Sequence, residues 1–155
     1  MDVIEHKSAF YDVIVLQTVL EELRNRSLPL YNRLRSLVSS DDKRFYVFHN
    51  EFRKETFVKR NAGETINDRN DRAVRVACQW YKQHLQDSLA GTKNKIPTIV
   101  MLSDDKENLR FASEAGIECC NSMSGPGRNR REQADKLPQS RRMSRGCPTQ
   151  MSSWT

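Results

Sequence analysis

The chain has 155 residues, 37% of them hydrophobic and 30% charged, and carries a formal charge of +6. That is enough for one domain with a real core. No apolar run approaches the roughly 18 residues a membrane span needs, and the first residues lack the basic, apolar, small-residue order of a secretory leader.

The charge is uneven. Residues 122–155 hold seven Lys/Arg against Glu132 and Asp135, so the body is nearly neutral and the basicity belongs to the tail. Cys78, Cys119, Cys120 and Cys147 show no C-x-x-C spacing and read as reduced thiols of a cytosolic or nuclear protein.

Asp12-Val-Ile-Val-Leu16 reads as a strand buried on both faces, as in a parallel sheet. Thr18-Val-Leu-Glu21 has the form of a capping box and would place Glu22 on the first turn of a helix. Ser27 is the expected cap of a second helix that tolerates Pro29 and turns Tyr31, Leu34, Leu37 and Val38 inward. After a turn at Ser39–Asp42, the aromatic and β-branched stretch Arg44–His49 predicts a second strand. The polar segment 50–66, broken at Gly63, mixes a short helix with loop.

From about Asn67 to Leu89, Ala73, Val76, Ala77, Trp80, Tyr81 and His84 recur at helical spacing as a buried stripe. Asp68 and Asp71 sit one turn apart on another face. Pro97–Leu102 predicts a third strand, Ser103-Asp-Asp105 the start of a helix closed by Gly116, and Ile117–Cys120 a short last strand. Alternating strands and helices define an α/β fold with a parallel sheet. From Ser122 onward the sequence is rich in Gly and Pro, without periodicity, and reads as a disordered basic tail.

Glu22, Asp71 and Asp105 are the candidate chemical residues. An α/β sheet collects such groups at its carboxyl edge, and crowded carboxylates call for a hard divalent cation, Mg²⁺ or Mn²⁺. Taken singly, each acid has a structural role available: a helix-end charge for Glu22 and Asp105, an ion pair with Arg75 for Asp71. Arg72 and Arg75 offer either contacts to the phosphates of a phosphodiester substrate or neutralisation of Asp68 and Asp71. Trp80 and Tyr81 read as core, with base stacking the lesser alternative. His6, His49 and His84 have no zinc spacing, no nucleophile elbow is present, and no Gly-rich phosphate loop occurs. The residues an Asp-Asp receiver site would need besides Asp104-Asp105 are missing.

Three collinear stretches carry a specific resemblance: residues 13–27 (VIVLQTVLEELRNRS), 67–76 (NDRNDRAVRV) and Ser103-Asp-Asp105, supported by His49-Asn-Glu-Phe-Arg-Lys-Glu-Thr56 and Gly63-Glu64. Over about residues 1–121 the chain resembles the PIN domain of the RNB-type ribonuclease subunit of the eukaryotic RNA exosome. The resemblance implies a three-layer sandwich around a central parallel sheet and a metal-dependent endoribonuclease acting on single-stranded RNA. It puts the metal-binding and catalytic carboxylates at Glu22, Asp71 and Asp105, with Mg²⁺ or Mn²⁺ as cofactor and no small-molecule cofactor. Exosome core subunits are the implied partners, no membrane is involved, and the nucleus, nucleolus and cytoplasm are the implied locations.

Such domains open with a strand ending in an Asp-Thr-Asn-like word, and Met1-Asp-Val-Ile-Glu5 resembles the stretch just after it. The expectation is therefore a partial domain at 1–121, lacking its first, central strand and fourth carboxylate. It is followed by the tail at 122–155, the whole truncated at both ends. Three acids would hold metal poorly, so RNA hydrolysis by this chain should be weak or absent. The alternatives are a catalytically impaired module that docks on the exosome core, and a fragment that binds RNA through its basic tail.

Overall fold

The computed structural model describes residues 12–41 and 44–123. The tail from 124 on and residues 1–11, where an opening strand would be sought, lie outside them. Strand β1 (Asp12–Leu16) runs directly into helix α1 (Gln17–Arg26), followed by α2 (Leu28–Val38) and β2 (Arg44–Phe48). A 3₁₀ turn at Asn50–Phe52 and an irregular segment lead to the long helix α3 (Ile66–Leu89). The described chain finishes with β3 (Val100–Leu102), α4 (Lys106–Glu114) and β4 (Glu118–Cys120).

All strand pairing among the described residues is parallel. β1 lies on β2 with Val13 opposite Phe45 and Val15 opposite Val47, and β3 lies on β4 with Met101 opposite Cys119. Among the described residues these are two separate two-stranded pairs, each with its own helices. On β1–β2 the buried Val15, Leu34 and Phe45 pack with Leu20, Leu23, Leu37 and Val38 of α1 and α2. On β3–β4 the buried Met101, Ala112, Ile117 and Cys119 pack with Val74, Cys78 and Leu109. Helix α3 joins the halves, because it touches α1 as well as β3 and α4. Ala73 and Ala77, fully buried, let it approach closely.

Several local expectations are corrected. Thr18 does not cap α1: the helix begins at Gln17, its N-cap is Leu16 without a side-chain bond, and its first turn holds no acid. The hydroxyl of Thr18, 3% exposed, is taken instead by Asn50 and Glu51, and Glu22 falls on the second turn. Ser27 precedes α2 with Pro29 at its start, but its side chain makes no capping bond. The third strand is three residues, not six, because β4 offers only three residues of partner backbone and Pro97 has no N–H to pair. His84 is exposed, stacked on Trp80 at 4.8 Å. The stripe of α3 is thus buried around its two alanines and aromatic towards its end.

The cap of α3 is Thr65, whose Oγ1 accepts the Asp68 N–H at 3.1 Å and donates to Asp68 Oδ2 at 2.7 Å. Gly116, at φ +71°, closes α4 as expected, since that left-handed conformation favours glycine.

Candidate carboxylate centre

Asp71 is the hub. It sits in the second turn of α3, and both carboxylate oxygens are engaged: Oδ1 accepts from Asn108 Nδ2 at 2.8 Å and Oδ2 from Asn67 Nδ2 at 3.3 Å. Asp105 is the N-cap of α4, and its Oδ1 accepts the Asn108 N–H at 2.9 Å. A side-chain oxygen on the orphan donors of a helix start is a standard stabilising arrangement. It also brings Asn108 under both acids, with its backbone on Asp105 and its side chain on Asp71. Arg75, one turn beyond Asp71, completes the bridge by donating to Asn108 Oδ1 at 2.5 Å; this fixes the amide so that its NH₂ faces Asp71.

Glu22 joins from α1 by a longer route. It is paired with Arg26 at 3.1 Å, Arg26 donates to Asn67 at 3.1 Å, and Asn67 donates to Asp71. One hydrogen-bonded chain therefore runs Glu22–Arg26–Asn67–Asp71–Asn108–Asp105 across three helices. The carboxyl group of Asp71 is held above its ordinary value, first by burial and then by the negative charge of Asp105. Glu22 and Asp68 add to the rise, and the Arg75 guanidinium opposes it. The three acids chosen from sequence thus share one electrostatic neighbourhood.

They do not form a closed ligand set. Among the described residues, no three His, Cys, Asp or Glu side chains gather closely enough to hold a metal ion. The oxygens the acids offer are carboxylate oxygens, which fit Mg²⁺ or Mn²⁺, while the amides of Asn67 and Asn108 turn their NH₂ groups to Asp71. The repulsion felt by Asp71 is the kind a cation relieves. The arrangement falls short at Glu22, which is turned to Arg26.

The two arginines part ways. Arg72 does not neutralise Asp68 or Asp71. It forks onto Glu64 at 2.8 and 2.7 Å and onto the Lys59 carbonyl at 2.8 Å, and Glu64 is held down at about 2 by that fork together with the Asn61 N–H. Arg75 stays beside Asp71, with its guanidinium carbon 5.2 Å from the Phe111 ring centre.

A second polar group, missed from sequence, braces the base of the centre. Asn50, fully buried, donates to Thr18 Oγ1 at 2.7 Å, and Thr18 donates to Glu51. Glu51 then pairs with Arg69 of α3 at 2.5 and 2.7 Å, both side chains 15% exposed. Burial works to raise Glu51, but bonds from Arg69 and Thr18 hold it below the ordinary carboxylate range. This network ties α1, the carboxyl end of β2 and α3 together, and so sets the spacing of Glu22 and Asp71.

Asn108 was legible only as an anomaly. It is a polar residue one turn before Ala112 on the buried face of α4, and both are buried. A polar side chain on an apolar stripe needs a partner, and here the partner is the acid centre.

A parallel α/β frame in which Asn108 bridges Asp71 to Asp105, the cap of the helix that follows β3, points to the class, and comparison with known proteins specifies it. The PIN domain family model matches residues 1–123. The chain is 48% identical over 118 residues to the fission yeast "Exosome complex exonuclease dis3" and 45% identical over 117 to the human "Exosome complex exonuclease RRP44". Each match covers 76% of this chain but only 11% and 12% of the relative, so the chain spans a small part of their length. The solved structure of the Trypanosoma brucei RRP44 PIN domain superposes with a TM-score of 0.63 at 32% identity, covering 84% of this chain and 71% of that one. The chain belongs to the PIN domain family. No helix among the described residues is long and apolar enough to cross a membrane.

Proposed function

We propose that the chain carries a divalent-metal endoribonuclease centre for single-stranded RNA, serving RNA processing and decay beside the exosome core, with weak activity in the isolated chain. The observation that supports it most is the Asn108 bridge, which holds Asp71 and Asp105 together against their repulsion. Their exosome relatives, named as exonucleases, support the RNA assignment, and the same kinship favours a nuclear, nucleolar and cytoplasmic setting.

Asp71 and Asp105 would hold Mg²⁺ or Mn²⁺, and Glu22 would join them on releasing Arg26. A bound cation supplies an activated water and stabilises charge on the leaving oxygen. Asn108, fixed by Arg75, keeps the two aspartates aligned. Arg75 is the better placed of the two arginines to meet a phosphate, since Arg72 is committed to Glu64. With two acids bridged and the third turned aside, affinity for the cation is low, and low activity follows.

Docking on the exosome core is the second reading, favoured by the absence of a closed three-ligand set among the described residues. Incubation of circular single-stranded RNA with the chain and Mn²⁺ separates them. Slow cleavage lost in Asp71→Asn supports the nuclease. No cleavage, with core binding that survives EDTA and loss of all three acids, selects docking.

A further inference from the structure

The segment between β2 and α3 presents its largest side chains to solvent. Phe52 is 83% exposed and Phe57 54%, and cations are interleaved with them: Arg53, Lys54, Lys59 and Arg60. Glu55 is the only acid between Phe52 and Asn61, and it pairs with Arg53 at 3.6 Å. Lys54 and Lys59 are exposed and have no ion-pair partner among the described residues. Exposed apolar surface rimmed by polar and charged side chains is where interaction sites are found.

The backbone that carries these side chains is firmly held. Thr56, fully buried, donates its hydroxyl to the Asn50 carbonyl at 2.8 Å, and the N–H groups of Thr56 and Phe57 close a turn on the Arg53 carbonyl at 3.1 and 2.7 Å. Val58 is 5% exposed. Arg69 donates to the Val58 carbonyl and Arg72 to the Lys59 carbonyl, each at 2.8 Å. Beyond Lys59, Arg60 Nε donates to the Glu64 carbonyl at 2.6 Å. Arg69 and Arg72 lie two residues before and one after Asp71 on the same helix, so the segment runs beside the stretch of α3 that carries the acid centre.

We infer that residues 52–60 form a stacking and phosphate-binding platform for single-stranded RNA next to the carboxylate centre. Phe52 and Phe57 take bases on their open faces, while Lys54, Lys59 and Arg60 meet the backbone. This combination of aromatic faces with a cationic track is how sequence-tolerant single-strand sites work. A preorganised platform loses little conformational freedom on binding. Charge favours RNA over a protein partner, because the surface is cationic around its aromatics. The inference rests on the RNA reading above and deepens it by locating how the strand is held.

Fluorescence anisotropy of a labelled oligouridylate with the intact chain in EDTA, where hydrolysis cannot occur, tests it. Phe52→Ala with Phe57→Ala should weaken binding roughly tenfold without moving the thermal midpoint, and Phe52→Tyr with Phe57→Tyr should restore it. Lys54→Gln with Lys59→Gln should flatten the dependence on salt. No measurable binding by the intact chain, or affinity unchanged within about twofold in the double alanine variant, overturns the platform. So does loss of binding to exosome core subunits with RNA affinity intact, which would make the surface a protein contact. Adding Mn²⁺ to the same samples separates the two ideas: binding without cleavage sinks the nuclease and leaves the platform standing.

Discussion

Replacing Asn108 with alanine removes a side chain that is 3% exposed and links Asp71 at 2.8 Å to Arg75 at 2.5 Å. Its backbone N–H stays on Asp105, so the cap of α4 survives and only the bridge is lost. Two hydrogen bonds to charged groups disappear, each about 1.5–3 kcal/mol before relaxation. Arg75 regains some water, which brings the net cost to about 2–3 kcal/mol. At roughly 5 °C per kcal/mol for a domain of this size, the thermal midpoint falls by about 10–15 °C. Urea denaturation followed by circular dichroism measures it in EDTA. A loss below about 0.5 kcal/mol, the range of ordinary surface substitutions, would refute the claim that Asn108 ties the centre together. Asn108→Asp sharpens the test by putting a third carboxylate between Asp71 and Asp105. That variant should be the less stable of the two in EDTA and gain more from added Mn²⁺.

Thr18→Val keeps shape but strands the amide NH₂ of Asn50 and removes one of the two donors to Glu51 Oε1, which keeps Arg69. This should cost about 2 kcal/mol in urea unfolding, and a neutral result would mean that the network does not brace the centre. Glu64 is depressed to about 2 from 4.5, so its pair with Arg72 stabilises the fold above pH 4.5 and is lost as pH falls towards 2. Glu64→Gln should therefore flatten the thermal midpoint against pH across that window, and an unchanged slope would contradict the assignment. Asp71 has the opposite sign: raised from 3.8, its ionisation costs stability above its folded value. Acidification through its window relieves that cost, so Asp71→Ala should remove this relief from the same profile.

Most of the frame was legible because the chain writes it in local patterns. Val13 to Leu16 are apolar without alternation, and they became one strand of a parallel pair. Ala73 and Ala77 repeat at helical spacing and became the close contact of α3. The errors arose where a residue suited to local capping was taken by a distant partner. Thr18 reads as a cap, yet Asn50 and Glu51, 32 and 33 residues away, claim its hydroxyl.

Glu22, Asp71 and Asp105 were chosen as candidates from motif words, and the charges of Asp105 and Glu22 both act on Asp71. Their mediators Asn67, Asn108 and Arg26 were not found, because hydrogen bonds between helices leave no periodic trace in a sequence. Arg72 shows the same limit. Its place on α3 next to Asp71 pointed to that acid, while Glu64, eight residues back and across a loop, offers the better fork.

Titration of the intact chain with Mn²⁺, followed by the spin-resonance signal of the free ion, bears most directly on the carboxylate centre. A single weak site that Asp71→Asn and Asp105→Asn each weaken by about tenfold or more is the expected result, with a smaller loss in Glu22→Gln. Binding that both aspartate substitutions leave unchanged, or no binding at all, would contradict a shared cation site at these residues.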